Sequence, residues 1–438
     1  AVAAARQGAD TLLVEHYGFL GGMATAGEVN PFMPNHHEGG SLDTGIFEDW
    51  MDRIVSYGGG RKSSRIFDPN IARLAAEDLC VEAGVRLLYH HRTANVKTEG
   101  RRIDALGLHS KSGLTAVRAK QYIDATGDGD LAAMAGCRFM VGAEDTGGCQ
   151  PMTLCFKLKL DPSDLPGDAT EQDTFKAMMA VMEDVQAVFQ KAKDDGRLDC
   201  PRENVLVFRG VDENVVHFNT TRVLHRSATD GEDLSAAEVE ARRQLRQLVE
   251  VFRSDLPLFR NCRIYSIAPQ IGIRESRRIV GRYLLDVEDF KACRRFPDAV
   301  ARVTYMIDIH NPHGHGTKHV HMPKGAWYEV PWRSQLPADI DNLAIGSRCI
   351  SADHAVHSRV RVMAPVCSLG QAAGTAAAMA IADAGEVCDV DGERLNASLI
   401  EQGRNLLPYD SETAMPNQPT DESKLNKLAE ATSKKFSA

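Results

Sequence analysis

The 438-residue chain has ten cysteines but no CxxC pair, which argues against a redox dithiol of the thioredoxin kind. It has no basic run longer than a few residues, and its formal net charge of −9 excludes a general nucleic-acid-binding surface. No stretch reads as a membrane span and no leader-like segment opens the chain, so the expectation is a cytoplasmic protein with reduced thiols, no nucleic-acid partner and no membrane partner. An initiator methionine is absent as well. So is a glycine loop where one belongs. Leu12 to Val14 is a short apolar run ending on Glu15, the form of the second strand of a dinucleotide-binding βαβ unit, whose acid holds ribose hydroxyls about 20 residues after a glycine-rich phosphate loop. Only "AVAAARQG" precedes it, a small-residue helix closed by Gly8. The chain is therefore expected to lack the first strand and the phosphate loop, as an N-terminally truncated piece would.

What is present suits a globular protein of two or more domains: 43% of residues are hydrophobic and 25% charged. Asp68 is a good N-cap, Pro69 suits the first helical position, and Ile71, Leu74, Ala75 and Leu79 keep helical spacing until Gly84. Val85 to Tyr89 reads as a strand, and Ile103 to His109 and Leu114 to Ile123 as a hairpin or meander around "SKSG". The second run feeds "YIDATGDGDLAAMAG", a strand, glycine turn and helix where backbone amides could face a phosphate. Phe175, Met178, Met179, Met182 and Val185 form one stripe of a helix over 171–193, and Ser235 with Glu238 reads as a capping box opening another. Extended segments at 204–208, 215–220 and 279–285 predict a second domain on a mixed sheet, with a surface helix or frayed tail from about 418 to the end. In "DNLAIGSRCISADHAVHSRVRVMAPVCSLGQAAGTAAAMA" a short strand meets Gly346, and Gly370, Ala373, Gly374 and Ala377 line one helix face. Such a face admits a flat ligand or simply packs on a neighbour, and spacing alone leaves both open.

Taken together, "LLVEHYGFLGGMATAG", "YIDATGDGDLAAMAG", "QIGIRESRRIVG" and the block from Ala344 to Ala380 resemble the FAD-dependent oxidoreductases of the glutathione-reductase-like superfamily, in the group with a fumarate-reductase-like flavin domain. The resemblance spans residues 1 to about 383. It implies an α/β fold with a Rossmann-like FAD-binding domain (1–45, 69–140 and 335–385), a second mixed α+β substrate domain (46–68 and 141–334) and a C-terminal extension (386–438). It further implies non-covalent FAD and an oxidoreductase passing hydride or electrons between FAD and a small-molecule substrate, with the electron acceptor and oligomeric state left open. By the same resemblance Glu15 holds the adenosine ribose, Gly21, Gly22, Met23 and Ala24 run under the pyrophosphate toward the flavin, and Ala125, Thr126, Gly127 and Asp128 lie near the adenine half. Gly346, Arg348, Arg361, Gly370, Gln371 and Ala373 belong to the flavin side, with Arg348 where many relatives have Asp. Leu12–Val14 is expected beside the strand ending at Ile123.

On the substrate side, Arg274, Glu275 and Arg277 in "GIRESRRI" could clamp a carboxylate or form a structural salt-bridge network. Arg274, His310 and Asn311 are the candidate catalytic residues: a guanidinium anchors an oxygen-rich substrate and a histidine exchanges protons near neutral pH. Histidines 310, 313, 315, 319 and 321 are dense enough for a metal site, so a metal-dependent hydrolase competes with the flavoenzyme, as does a non-catalytic subunit that keeps the fold and binds a partner.

Overall fold

Three large apolar cores, each gathered from segments distant in sequence, organise the molecule. The computed structural model describes residues 1–38, 40–165, 174–314, 316–321, 323 and 325–409. The first core joins α1 (Val2–Arg6), α2 (Ile46–Ser56) and α3 (Pro69–Glu82) through Val2, Phe32, Phe47, Trp50, Ile54, Phe67 and Leu79. α3 begins where the sequence predicts: the Asp68 carboxylate accepts from the amides of Asn70 and Ile71, satisfying donors that the first turn leaves free. Residues 46–56, expected in the substrate domain, instead pack beside α3, because the apolar face of α2 fits the core that α1 and α3 leave open.

Leu12–Val14 pairs in parallel with Arg86–Leu88, Leu13 facing Leu87. A second parallel pair joins Tyr122–Asp124 to Leu343–Ile345, Ile123 facing Ala344. This corrects the expected neighbourhood of Leu12–Val14 and Ile123. Leu343, Ala344 and Ile345 are fully buried and supply Tyr122–Asp124 with a covered partner, whereas Leu12–Val14 is only half-buried. Between the pairs lies an antiparallel meander, Arg92–Glu99, Arg102–Ser110 and Gly113–Val117. The expected run from Leu114 to Ile123 breaks after Val117, where the Tyr122 hydroxyl accepts from the Ala119 amide and turns the chain toward the second sheet. α4 (Asp130–Met134) follows.

The second core lies under a four-stranded sheet in the order Val207–Arg209, Val215–Phe218, Phe156–Lys159, Arg263–Ile267. Every pairing in it is antiparallel, not mixed. Three helices cover it: α5 (Thr174–Ala180), α6 (Met182–Asp194) and α7 (Gly231–Asp255). The single helix expected over 171–193 is two, separated at Val181, with 171–173 outside the described residues; Met178 and Val185 are buried while Met179 is exposed. α7 begins four residues before Ser235, because Asp230 already caps the amides of Glu232 and Asp233.

The third core holds α8 (Val287–Lys291), α9 (His354–Val360), α10 (Met363–Ala382) and α11 (Gly392–Glu401). α10 has the length and apolarity of a membrane span but is mostly buried among other elements, so its hydrophobicity is that of a core helix. A Cβ on Gly374 would lie 2.9 Å from Ala3 Cβ, so α1 and α10 touch at van der Waals range. Packing between helices is thus what the small-residue face serves at that position. The expected extension beyond 385 is in part core: Val387, Leu395, Leu399 and Leu406 are buried in it. The predicted tail from about 418 lies outside the described residues.

Candidate flavin groove and substrate cleft

Three parallel strands deliver candidate residues from their C-terminal ends, where open α/β sheets bind ligands. Leu12–Val14 delivers Glu15, Tyr122–Asp124 delivers Ala125 to Asp128, and Leu343–Ile345 delivers Gly346. Glu15 accepts from the Tyr17 amide (3.0 Å) and meets His16 Nδ1 (3.0 Å), both on Oε1. Gly21 has φ +111°, and a Cβ there would sit 2.4 Å from Thr25 Cγ2, so the turn into Gly22, Met23 and Ala24 requires glycine. Gly22 is exposed, with nothing within 4 Å of a built Cβ.

The Ala125-Thr126 step is exposed. Asp124 accepts from the amides of Thr126 and Ala132, and Thr126 Oγ1 accepts from the Asp130 amide, so these three donors are spent within the turn. Burial raises the pKa of Asp124, and these donors oppose the shift. Arg348 lies over Gly127 and pairs with Asp128, and so locks this turn. Gly346 and Gly370 pack directly against each other: a Cβ on Gly370 would be 3.6 Å from the Gly346 carbonyl. The buried amide of Gln335 ties the two segments together, donating from Nε2 to the carbonyls of Ile345 (2.6 Å) and Leu369 (2.9 Å). Gln371 and Ala373 turn away. Gln371 Oε1 accepts from the Ile46 amide at the start of α2, and Ala373 is wholly buried beneath Gly346. The partly open stretch of Glu15, Gly22, Ala125, Thr126, Gly346 and Gly370 suits a long, flat dinucleotide, so the residues present fit FAD.

Beside this groove, the segment carrying Arg274 touches the glycine loop: the Gln270 amide donates to the Ala26 carbonyl (2.9 Å) and the Ile273 amide to Met23 Sδ (3.5 Å). Arg274 Nη1 donates to the Pro151 carbonyl and Thr153 Oγ1, and Nη2 to Asn219 Oδ1. Burial and then the nearby cations Arg361, Arg202 and Arg222 lower its pKa to about 9. Arg361 donates to Gln150 Oε1 (3.2 Å), and so belongs to this cleft rather than to the flavin-lining face of α10.

His310 is nearly buried. Arg222 Nη2 lies 3.2 Å and Thr317 Oγ1 3.1 Å from its Nδ1, while Nε2 is 3.6 Å from Asp308 Oδ2. Burial and Arg274 lower its pKa to about 3, so it is neutral at neutral pH and the expected proton exchange there does not hold for this arrangement. Burial alone would raise the Asp308 pKa, but His310, Arg361 and Arg274 hold it well below the usual carboxylate range. Asn311 closes a hairpin turn, its amide bonded to the Gly316 carbonyl and its Oδ1 to the His313 amide. The other histidines diverge: His313 and His321 are exposed, His319 pairs with Asp308, and His315 lies outside the described residues. No three His, Cys, Asp or Glu side chains among the described residues stand close enough to hold a metal.

Glu275 does not clamp a ligand. Its Oε1 meets His354 Nδ1 at 2.8 Å and its Oε2 accepts from the Gln150 amide; burial opposes ionisation, but His354 and Arg278 prevail and bring its pKa to about 2. Arg277 pairs with Asp130, the structural alternative for this segment. Sequence reading missed Gln150, Arg202, Arg222 and Asp308. They come from four separate segments, and no spacing signal connects them.

The fold is similar to that of a geranylgeranyl bacteriochlorophyll reductase-like protein from Thermoplasma acidophilum (12% identity, covering 92% of this chain and 79% of that one, TM-score 0.43). It is also similar to p-nitrophenol 4-monooxygenase from Pseudomonas putida (12% identity, 98% and 90% covered, TM-score 0.38). No curated protein matches the sequence. Residues 1–399 match the family described as FAD dependent oxidoreductase, nearly the whole described chain, and the protein belongs to that family as an FAD-dependent oxidoreductase with a small-molecule substrate.

Proposed function

We propose that the substrate reacts in the cleft bounded by Met23, Gln150, Arg274, His310 and Arg361, against the flavin end of a dinucleotide laid from Glu15 to Gly370. The observation that carries this reading is the seam at Met23 and Ala26, whose bonds to Ile273 and Gln270 bring Arg274 directly beside the glycine loop. FAD, when bound, supplies the two-electron acceptor or donor. Glu15 Oε2 is placed to take a ribose hydroxyl, since both partners of that carboxylate fall on Oε1. Arg274 and Arg361 orient the substrate, and the neutral His310 offers it a fixed dipole rather than a proton. The FAD-binding domain in this reading comprises the segments around 1–140 and 335–406, and the substrate domain the antiparallel sheet with α5 to α7. A cytoplasmic location belongs to the same proposal; it is supported by ten unpaired cysteines, seven of them buried.

The test is stopped-flow reduction of the bound flavin. Arg274→Ala and Arg361→Ala should slow it at least about tenfold in single turnover with the bound-flavin spectrum unchanged. Unchanged rates in both variants would remove the cleft from the reaction.

A further inference from the structure

Resting on that reading, we propose that the cleft takes an anionic substrate, gripping a carboxylate or phosphate group between Arg202, Arg222, Arg274 and Arg361. The charges are unbalanced. Four guanidinium groups act on one another here: Arg274 experiences Arg361, Arg202 and Arg222, and Arg222 experiences Arg202. The carboxylates that face them are Asp308, which acts on Arg202, Arg222 and Arg361, and Glu203, which meets Arg222 Nη1 at 3.2 Å and also acts on Arg202. Glu275 also acts on Arg361, but its carboxylate meets His354 and Arg278. Cations therefore outnumber the anions available to them.

Donors are unspent as well. Arg202 is only 3% exposed, yet its Nε and Nη1 have no partner, and neither do Arg222 Nε, Arg361 Nε and Gln150 Nε2. An unpaired buried guanidinium costs several kcal/mol, and donors with nothing to donate to add a further penalty. A protein built only for stability would place a third carboxylate among them. An oxyanion entering beside Arg274 and Arg361, both of which keep some solvent-reachable surface, would neutralise the excess and fill the donor set at once. Arg222 takes part through its neighbour: by donating to His310 Nδ1 it fixes the ring's remaining N–H on Nε2, toward Asp308. The Asp308 negative charge is thereby held within the cleft wall, leaving the outer guanidinium groups to the ligand.

Calorimetry on the flavin-loaded full chain tests this with succinate, inorganic phosphate and the neutral isostere succinamide. Succinate or phosphate should bind at least about tenfold tighter than succinamide, and Arg202→Met should remove that preference while raising the melting temperature of the ligand-free protein. Whichever of the two anions binds tighter identifies the group. Equal affinity for succinate and succinamide overturns the inference, as does an Arg202→Met protein that keeps full anion affinity or fails to fold, since either makes the guanidinium structural. Anion preference in a protein that carries no flavin would instead preserve this inference and sink the reading on which it rests.

Discussion

Arg222 Nη2 lies 3.2 Å from His310 Nδ1, and because a guanidinium can only donate, the imidazole nitrogen must accept. The pair therefore works only while His310 is neutral. Its folded pKa of about 3 lies below the ordinary value near 6.5, so protonation favours the unfolded chain. Stability from this group is complete above about pH 6.5 and is lost as pH falls toward 3. His310→Gln should flatten the decline of the urea midpoint between pH 7 and 4.5. A slope identical to the wild type would show that the ring is protonated in the fold.

Glu275 works in the same sense at lower pH. Its folded pKa of about 2 is below the unfolded value near 4.5, so its contribution is present above about pH 4.5 and lost as pH falls through 2. Glu275→Gln weakens the contact with His354 Nδ1 and leaves the fully buried Arg278 with Glu144 (3.4 Å) as its carboxylate, and should cost about 1–3 kcal/mol by chemical denaturation at pH 7. A loss below about 1 kcal/mol would mean that Glu144 balances the cation by itself.

Two glycines of α10 should respond in opposite ways. At Gly374 added bulk meets Ala3 Cβ at 2.9 Å and the Ala4 amide at 3.1 Å, so Gly374→Val should destabilise by about 1–3 kcal/mol. At Gly370 the nearest atom is 3.6 Å away, an ordinary contact, so Gly370→Ala should stabilise the flavin-free protein by up to about 1 kcal/mol through helix propensity. It should also lower flavin content by adding a methyl group to the face proposed for the flavin. Thermal melts and the ratio of flavin to protein absorbance separate the two effects.

Gly21→Ala meets Thr25 Cγ2 at 2.4 Å and forces a side chain to φ +111°. Circular dichroism should barely change while FAD per chain drops severalfold. Full flavin content in this variant would place the cofactor away from the loop.

Local chemistry was the legible part of the sequence. Asp68 and Pro69 announced α3 because a cap acts within three residues, and Glu15 and Ala125 stood out because a strand end and its turn are contiguous. Strand partners were not legible: Ile123 pairs with Ala344 across more than two hundred positions, a choice made by burial on both faces. Ser235 misled because a true cap, Asp230, lay just upstream and left it inside the helix. The cleft was the least visible of all. Arg202 and Arg222 look like ordinary surface residues, and Arg361 like a flavin contact, until the antiparallel sheet and α9 bring them around Asp308.

Gln335 gives the contact between Gly346 and Gly370 a set spacing. Apolar packing alone would let a strand and a helix slide by fractions of an ångström whenever a core side chain changed volume, and the spacing would drift with every such change. One amide nitrogen bonded to a carbonyl on each segment fixes the separation by hydrogen-bond length instead, and those lengths vary little. The core around α10 is thus free to exchange one methyl group for another, while the spacing between Gly346 and Gly370 keeps its gauge.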